Sequence, residues 1–556
     1  MTKSLRDYQA TAITDGVDLF ANHDRAHFVL GCGAGKTLIS LRLHEALQPG
    51  TVLALFPTLA LLQQTFDEWA GDAAAQFDAY AFCSRTRAGD DLDASQLHLP
   101  HTTDAAVIAG FLNTPGSKTK IVFATYQSSP KLAALHAQHG IGTWDVGIFD
   151  EAHRTAGRAG KKFAAALDDQ FIPIRKRAFF TATPVTYTSR NSPDGVNVPA
   201  HSMDDEAVYG PRACTVHFSE LQERGYLSDY QVAVMVLTNK DVADLIKANP
   251  DIATYQTITR RGSHGRTETV NMGARDVAVA AALSKAIRQS GLRSIVSFHS
   301  TIAKSQGFAQ MLPSVLGELS ADERPLGWVN AEAVWGDQDP AERAAVLERL
   351  SVDPSSTDIQ VVTNAKILSE GVNIRSIDAI LFADPKSSKV DITQQVGRAL
   401  RLNDHREDPS LVIVPIIVPA EGYDPEADGF SNDDLATGSY DTVVNVLNSL
   451  AEFDPKFEAR LNSERDTTLA TEVPDANGDV STDSYRTDIG ADGEWLDGKV
   501  VFVNQTGENN IAFRRIINSV SVDVLRESSE LWDWWGNFYA LKALLEEERA
   551  AAAAAA

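Results

Sequence analysis

Short apolar runs alternate with segments of helical length, and this repeated pattern limits the possible folds more than any other feature. Strands buried on both faces read as continuous apolar runs, because helices cover both sides of a parallel sheet. In the first half of the chain the runs are His27–Leu30, Thr51–Phe56, Ile121–Thr125, Val146–Asp150 and Ala178–Ala182. Between them, Thr37–Leu47 and Ala60–Ala70 space their apolar residues three or four apart, which indicates helices.

The pattern restarts in the second half of the chain, so we expect two doubly wound parallel-sheet α/β domains in tandem. The second set of apolar runs is Ser294–Phe298, Ile359–Thr363, Ala379–Ala383 and Leu411–Val418. We assign the first domain to residues 1–225 and the second to 226–462. Residues 463–556 are assigned to an acidic linker and a small C-terminal accessory region. The polar segment Val185–Val216 reads as a long loop or insertion.

Composition excludes several classes of protein. The 556 residues contain no apolar run long enough to cross a membrane, and the N-terminus lacks the apolar core of a signal peptide. Three scattered cysteines are typical of a reducing compartment, so we expect a cytoplasmic protein. The formal charge is −25, whereas binding to nucleic acid relies on basic groups that contact phosphates. Any such binding therefore needs a local basic surface.

A glycine-rich segment, Gly31–Thr37, directly follows an apolar run and opens a helix. Backbone N–H groups of such a loop bind phosphates, and small residues let the backbone approach them closely. Lys36 would reach the β- and γ-phosphates of ATP, and the Thr37 hydroxyl would bind Mg²⁺. The alternative is a plain glycine-rich turn that caps a helix.

Two further strand ends carry polar residues suited to phosphate chemistry. Asp150 ends a buried run and can hold Mg²⁺, while the adjacent Glu151 can polarise an attacking water. Neighbouring carboxylates are usually solvated loop charges, but these lie where the carboxyl ends of parallel strands bind ligands. Thr181 and Thr183 follow another run, and their hydroxyls could bond the loop at Asp150 and Glu151.

A pair of arginines in the second half is a candidate for contact with the γ-phosphate. Arg398 and Arg401 are three residues apart, which places both on one face of a helix. Guanidinium groups stabilise the charge of the transition state in phosphoryl transfer. A solvated basic helix is the alternative. Near the N-terminus, the amide of Gln9 can read the edge of adenine.

In their order and spacing these segments resemble the motifs of the superfamily 2 helicases of the DEAH type. The resemblance extends from Leu5 to Arg401 and is greatest to bacterial helicases with a helicase-associated domain. Restriction-enzyme motor subunits and a family of repair helicases are more distant likenesses. Departures from the family pattern are Leu30 for glycine, Gln395 for arginine and Asn373 for aspartate.

The resemblance implies two RecA-like domains that use ATP and Mg²⁺, and it assigns roles by position. The residues with an implied catalytic role are Lys36, Asp150, Glu151, Arg398 and Arg401, and those implied to bind ATP are Gln9, Gly33, Ala34, Gly35, Lys36, Thr37 and Gly371. Mg²⁺ binding is implied for Thr37 and Asp150, and coupling between ATP hydrolysis and movement is implied for His153, Thr181, Thr183 and Gln394. Contact with nucleic acid is implied for the strand-end hydroxyls of Thr58, Thr125 and Thr363.

We therefore predict an ATP-dependent helicase or translocase that acts on nucleic acid, with DNA favoured over RNA through the family likeness. No membrane partner is expected, and the C-terminal region could dock a protein. Two alternatives remain open. One is a duplex DNA translocase, of the restriction or defence type, that does not separate strands. The other is a nucleotide-gated scaffold that binds nucleic acid without motor activity.

Overall fold

The computed structural model describes residues 3–83, 94–158, 162–185, 200–248, 257–261, 267–336, 338–351, 356–365, 377–384, 388–402, 408–418, 440–459, 461, 494–495 and 500–504. Within these residues the chain forms two large sheets, each of eight strands and flanked by helices. The predicted fold class, two parallel-sheet α/β domains in tandem, is confirmed.

All strands of the first sheet are parallel, in the order β10-β1-β8-β6-β2-β5-β3-β4. The strands of this half are β1 (Arg25–Leu30), β2 (Thr51–Phe56), β3 (Asp78–Phe82), β4 (His101–Thr102), β5 (Lys120–Thr125), β6 (Trp144–Phe149), β7 (Gly157–Arg158), β8 (Ile174–Thr181), β9 (Ala200–His201) and β10 (Arg212–Val216). Strands β7 and β9 form a separate small antiparallel pair.

Helices cover both faces of the first sheet. They are α1 (Asp7–Leu19), α2 (Lys36–Leu47), α3 (Leu59–Asp72), α4 (Ala105–Asn113), α5 (Ser129–His139), α6 (Glu206–Tyr209) and α7 (Phe218–Glu223). Successive residues of β2 alternate between two apolar cores: Ala54 packs with α1–α3 and Leu55 with α4–α5. This double burial explains why the central strands read as unbroken apolar runs.

The second sheet has the order β15-β16-β14-β17-β18-β11-β20-β19 and is parallel except for its last pair. The strands of this half are β11 (Tyr230–Thr238), β12 (Thr257–Arg261), β13 (Thr267–Asn271), β14 (Ser294–Phe298), β15 (Val329–Val334), β16 (Ile359–Asn364), β17 (Ala379–Phe382), β18 (Ser410–Val418), β19 (Glu494–Trp495) and β20 (Val500–Asn504). Strands β12 and β13 form an antiparallel pair outside this sheet.

In the described part of this half, six helices accompany the second sheet: α8 (Asn239–Ala248), α9 (Ala274–Ser290), α10 (Ile302–Glu318), α11 (Pro340–Glu348), α12 (Lys389–Ala399) and α13 (Tyr440–Phe453). Helices α8–α10 pack on one face, and α12 and α13 on the other. None of the helices in the described ranges is both long and apolar enough to cross a membrane.

Two segments differ from the expectation drawn from the sequence. The end of Val185–Val216, interpreted as loop, contains α6 and the edge strand β10. Strand β20 belongs to the residues assigned to the accessory region, yet it pairs in parallel with β11 in the second sheet. Both strands are short and pair with residues far away in the sequence, so local pattern alone gives a weak signal for them.

Candidate nucleotide site between the two domains

The glycine-rich loop leaves β1 and turns into α2 through two residues with left-handed backbone. Gly33 and Gly35 have φ angles of 84° and 82°. A Cβ atom on Gly35 would lie 2.4 Å from the Gln9 amide nitrogen, so a side chain there would also displace the Gln9 amide. The Ala34 carbonyl accepts hydrogen bonds from Tyr8 and Gln9, both at 3.0 Å. Helix α1 therefore holds the loop in a shape that leaves room for a phosphate.

Lys36, at the start of α2, faces Glu151 at the end of β6. Its Nζ atom lies 3.5 Å from the Glu151 carboxylate, and both side chains are largely buried. Burial disfavours the charge on Lys36, but the negative charge of Glu151 outweighs it and raises the pKa of the lysine. Burial also opposes the charge of Glu151, while Lys36 lowers the pKa of that carboxyl. The two groups therefore remain charged together at neutral pH.

Asp150 is the second acid of this site and is partly buried. Burial, followed by the charge of Glu151, raises the pKa of Asp150 to about 7. The Asp150 backbone carbonyl accepts a hydrogen bond from the Tyr126 hydroxyl at 2.6 Å, and this bond holds the end of β6 in place. Two adjacent acids thus compete for the single lysine, and the site holds excess negative charge when both are ionised.

His153 joins the acidic loop to the end of β8. Its Nδ1 atom lies 3.0 Å from the Thr181 hydroxyl and 3.2 Å from that of Thr183. The Thr183 backbone N–H donates to the Thr181 hydroxyl at 3.0 Å. Burial lowers the pKa of His153 to about 4, so its 3.4 Å approach to Glu151 is not an ion pair at neutral pH. Three of the four residues predicted to couple, His153, Thr181 and Thr183, thus form one hydrogen-bonded group, and Gln394 lies apart from it on α12.

Helix α12 of the second domain packs directly against the glycine-rich loop. A Cβ atom on Gly397 would lie only 2.5 Å from the Cys32 Cβ atom, so the backbone of α12 is in van der Waals contact with the loop. The connecting segment forms an antiparallel bridge between Leu227 and Arg401, and the Ser228 N–H donates to the Leu400 carbonyl at 2.8 Å. These contacts hold the end of α12 beside the loop.

A cavity of about 780 Å³ lies between the two domains and brings together much of the predicted site. The residues of the predicted site that line it are Gln9, Gly33, Gly35, Lys36, Thr37, Glu151, Gln394 and Arg401. Such a volume is within the usual range of small-molecule sites. Gln394 is 4% exposed, and neither atom of its amide has a hydrogen-bond partner among the described residues. The cavity therefore contains polar groups available for a ligand.

Some predicted residues fall elsewhere. Gly371 and the side chain of Arg398 lie outside the described residues, although the backbone of Arg398 belongs to α12. Thr363 is fully buried and its hydroxyl donates to the Ser305 carbonyl at 2.8 Å, so it is not available to a nucleic acid in this conformation. Thr125 is also buried, 3.1 Å from the Ser128 hydroxyl. Thr58 is half-buried and caps α3.

Sequence reasoning missed several residues that line the cavity. Arg6 lies over the Tyr226 ring, with its guanidinium carbon 3.9 Å from the ring centroid, and both residues line one end. Gln64 and Glu68 enter from α3, where the Gln64 amide donates to Glu68 at 2.9 Å. Their spacing of four residues places both on one face of α3, and this spacing is the only feature of the local sequence that relates the two residues to each other.

Two family models match separate parts of the chain. The model described as "Type III restriction enzyme, res subunit" matches residues 2–186, and "Helicase conserved C-terminal domain" matches residues 279–403. The first range contains the glycine-rich loop and the acidic pair, and the second contains α12. Together the two models imply that the chain uses a nucleotide.

The curated relatives that match are viral. A probable helicase of African swine fever virus is 23% identical over 473 residues in a Kenyan isolate, which covers 82% of this chain and 45% of the relative. The protein of a Malawi isolate is 24% identical over 485 residues, covering 86% of this chain and 47% of the relative. The chain thus spans about half the length of these relatives.

Solved structures of restriction enzymes have a similar fold. The ATP-dependent Type ISP restriction-modification enzyme LlaBIII, bound to DNA, has a TM-score of 0.69 and 25% identity, covering 94% of this chain and 33% of that one. The Type ISP enzyme LlaGI, in complex with a DNA substrate mimic, has a TM-score of 0.59 and 24% identity, covering 97% and 34%. The chain corresponds in extent to about one third of each enzyme.

Proposed function

Since the chain belongs to the superfamily 2 helicases, we propose that it hydrolyses ATP between its two domains and uses the energy to move along DNA. The observation that carries the proposal is the shared cavity, in which Lys36 and Glu151 of the first domain face Gln394 and Arg401 of the second. Groups from both domains on one ligand let hydrolysis change how the domains sit together.

The triphosphate would lie on the glycine-rich loop at the start of α2. Lys36 is already cationic and would exchange its contact with Glu151 for the β- and γ-phosphates. Arg401 would approach the γ-phosphate from the second domain, where a guanidinium stabilises the charge of the transition state. We propose the same role for Arg398, which precedes Arg401 by three residues.

Glu151 is suited to orient and deprotonate the attacking water. One of its carboxylate oxygens, Oε2, is buried without a hydrogen bond from any described residue. The lowered pKa keeps this carboxylate ionised, so it can accept a proton once Lys36 contacts phosphate. His153 and the hydroxyls of Thr181 and Thr183 would then report the state of Glu151 to the end of β8.

The residues at this site also fit Mg²⁺. Hard cations of this kind take oxygen ligands, and Asp150 and Thr37 supply a carboxylate and a hydroxyl. Burial and the neighbouring charge of Glu151 raise the pKa of Asp150 to about 7, and a divalent cation would favour its ionised form. When bound, Mg²⁺ would neutralise charge on the phosphates.

A Glu151→Gln variant tests the mechanism, because the amide preserves size and cannot accept the proton. We expect ATP binding to persist and turnover to fall at least roughly 100-fold, the usual scale for loss of a general base. A Glu348→Gln variant, which makes the same change on the exposed face of α11, is the control. ATPase rates would be measured with single-stranded DNA, duplex DNA and RNA at fixed salt. Unchanged turnover in Glu151→Gln would overturn the mechanism.

Movement along duplex DNA without strand separation is a second candidate, favoured by the likeness to a DNA-bound Type ISP restriction-modification enzyme. A strand-displacement assay and a triplex-displacement assay on the same preparation separate the two. Activity in the triplex assay alone identifies a duplex translocase. If no nucleic acid stimulates ATP hydrolysis, the nucleotide-gated scaffold is the correct interpretation.

A further inference from the structure

Helix α3 is joined to α2 by two contacts of Trp69. The indole N–H of this fully buried residue donates to the Thr37 backbone carbonyl at 3.0 Å. The Trp69 ring also stacks on His44 of α2, with ring centroids 4.8 Å apart. Because these contacts are close and Trp69 and His44 are buried, α3 has a fixed position relative to Thr37, a proposed ligand of Mg²⁺.

Glu68 of α3 lines the same cavity as Lys36, Thr37 and Glu151. It is partly buried, and its Oε1 atom accepts a hydrogen bond from the Gln64 amide at 2.9 Å. This bond comes from the preceding turn of α3 and restrains the carboxylate. Among the described residues only Gln64 donates to it, so the second oxygen of Glu68 is available to a ligand. The mechanism proposed above gives Glu68 no role.

A second carboxylate of the cavity also has unused acceptor capacity. Glu151 is 9% exposed, and its Oε2 atom has no hydrogen-bond partner among the described residues. Burial and the charge of Glu151 are the main causes of the raised pKa of Asp150, and the charge of Glu68 adds to them. Glu68 and Glu151 therefore both lie near Asp150, the other proposed ligand of Mg²⁺.

The described residues provide no ready-made cage for a metal ion. Within these ranges no group of three or more His, Cys, Asp or Glu side chains could hold one. Mg²⁺ dehydrates reluctantly, so in nucleotide sites it keeps several waters besides one or two carboxylates and the phosphates. Such waters donate hydrogen bonds, and an ionised carboxylate can only accept them. A carboxylate that lies near the metal ligands without completing a cage is suited to hold these waters.

We propose that Glu68 is a positioning residue that accepts hydrogen bonds from waters bound to Mg²⁺. The inference rests on the proposed function, since it concerns how the ATP site holds its metal. A carboxylate in a nucleotide site can also bind the hydroxyls of the sugar. The connection of α3 to Thr37 through Trp69, together with the interaction between Glu68 and Asp150, favours the metal.

A Glu68→Gln variant removes the charge and keeps an oxygen that can accept the bond from Gln64, so the fold should be preserved. We expect it to bind Mn²⁺, used in place of Mg²⁺, about tenfold more weakly in the presence of a non-hydrolysable ATP analogue. This is the lower end of the usual effect of outer-shell partners on metal affinity. Its affinity for the analogue without metal should not fall, because a negative charge near the phosphates is removed.

Asp67→Asn is the matched control, since it makes the same change on the neighbouring residue of α3. The Asp67 carboxylate is exposed and lies 2.9 Å from the His98 Nδ1 atom. This variant should keep both the Mn²⁺ affinity and the affinity for the metal-free analogue of the unchanged chain.

Electron paramagnetic resonance of free Mn²⁺ gives the bound fraction, with protein in excess over the analogue. A fluorescent ATP analogue in EDTA gives the affinity without metal. If Glu68→Gln binds Mn²⁺ as tightly as the unchanged chain, or loses no more affinity than Asp67→Asn, the role of Glu68 is refuted and the motor stands. Weaker binding of the analogue in EDTA would also refute it, because Glu68 would then act on the nucleotide or on the fold. If the unchanged chain binds no analogue at all, the proposed nucleotide site itself fails.

Discussion

Glu151 adopts a left-handed backbone conformation, with φ of 46°, immediately after β6. Among the described residues only Gln48 shares this feature without being a glycine. Such a conformation costs about 1–3 kcal/mol and persists where surrounding structure enforces it. Here the turn directs the Glu151 carboxylate toward Lys36 and His153. The local strain is therefore tied to the placement of the group that we propose to act on water.

Removing the Thr181 hydroxyl tests how much the hydrogen-bonded group around His153 contributes to stability and activity. A Thr181→Val change preserves the shape of the side chain but leaves the buried Thr183 N–H and the His153 Nδ1 atom without this partner. An unsatisfied buried group costs about 1–3 kcal/mol, so we expect that loss in the free energy of unfolding. Urea denaturation measures it.

Thr183→Val is the matched control, because among the described residues the Thr183 hydroxyl contacts His153 alone, and at the longer distance. Its loss should be the smaller of the two. DNA-stimulated ATP hydrolysis should also fall more in Thr181→Val than hydrolysis without DNA. Equal stability losses for the two variants would show that the backbone hydrogen bond at Thr183 is not the important one.

At the scale of elements, Gly397 makes the contact between α12 and the glycine-rich loop testable. Alanine is a better helix former than glycine by about 1 kcal/mol, so Gly397→Ala should not unfold α12. Its Cβ atom would nevertheless lie 2.5 Å from the Cys32 Cβ atom, which forces the two domains apart. We expect ATP turnover to fall at least tenfold with little change in melting temperature.

A second substitution shows whether the steric contact causes this loss. Cys32→Gly removes the Cβ and Sγ atoms that a new methyl group would meet. The double variant Cys32→Gly/Gly397→Ala should therefore regain activity relative to Gly397→Ala, which a double-mutant cycle quantifies. Full turnover in Gly397→Ala alone would mean that α12 does not rest on the loop during the reaction.

The strands that the sequence predicted well are those at the centre of each sheet. Thr51–Phe56 and Ser294–Phe298 were predicted to the residue, because burial on both faces leaves an uninterrupted apolar run. The edge strand β15 alternates in character along Val329–Val334, and β10 is short, so neither produced such a run. The strand-end threonines were also difficult to interpret, because the sequence does not tell which hydroxyls form hydrogen bonds with neighbouring residues of the protein.

Contacts between the domains were predictable only in outline. The order of the motifs implied that the loop at Lys36 and a helix carrying Arg398 and Arg401 share a ligand, and Lys36 and Arg401 do line one cavity. Arg401 does not share a helix with Arg398, however, because α12 ends at Ala399 and Arg401 forms a β-bridge with Leu227. The close contacts of Gly397 with Cys32 and of Leu227 with Gly33 depend on how the two folded domains pack against each other. No periodicity within either segment encodes that approach.

Across the whole molecule, one buried apolar cluster includes residues of both sheets, among them Phe28 and Val232. Phe218 and Leu227, from the segment that connects the domains, belong to the same cluster. The domains are thus joined by apolar packing as well as by the cavity walls. A nucleotide in the cavity should therefore stabilise elements on both sides at once.

Hydrogen exchange with a non-hydrolysable ATP analogue tests this linkage. At 100 times its dissociation constant a ligand stabilises the bound state by about 2.7 kcal/mol, and we expect slower exchange in both α2 and α12.

Arg401→Ala should retain protection of α2, which binds phosphate through the loop, and lose protection of α12. Arg349→Ala, on the exposed Arg349–Glu332 pair of the second domain, should behave like the unchanged chain. Protection confined to α2 in the unchanged chain would mean that the second domain does not close on nucleotide, and an arginine contact to the γ-phosphate would then be ruled out.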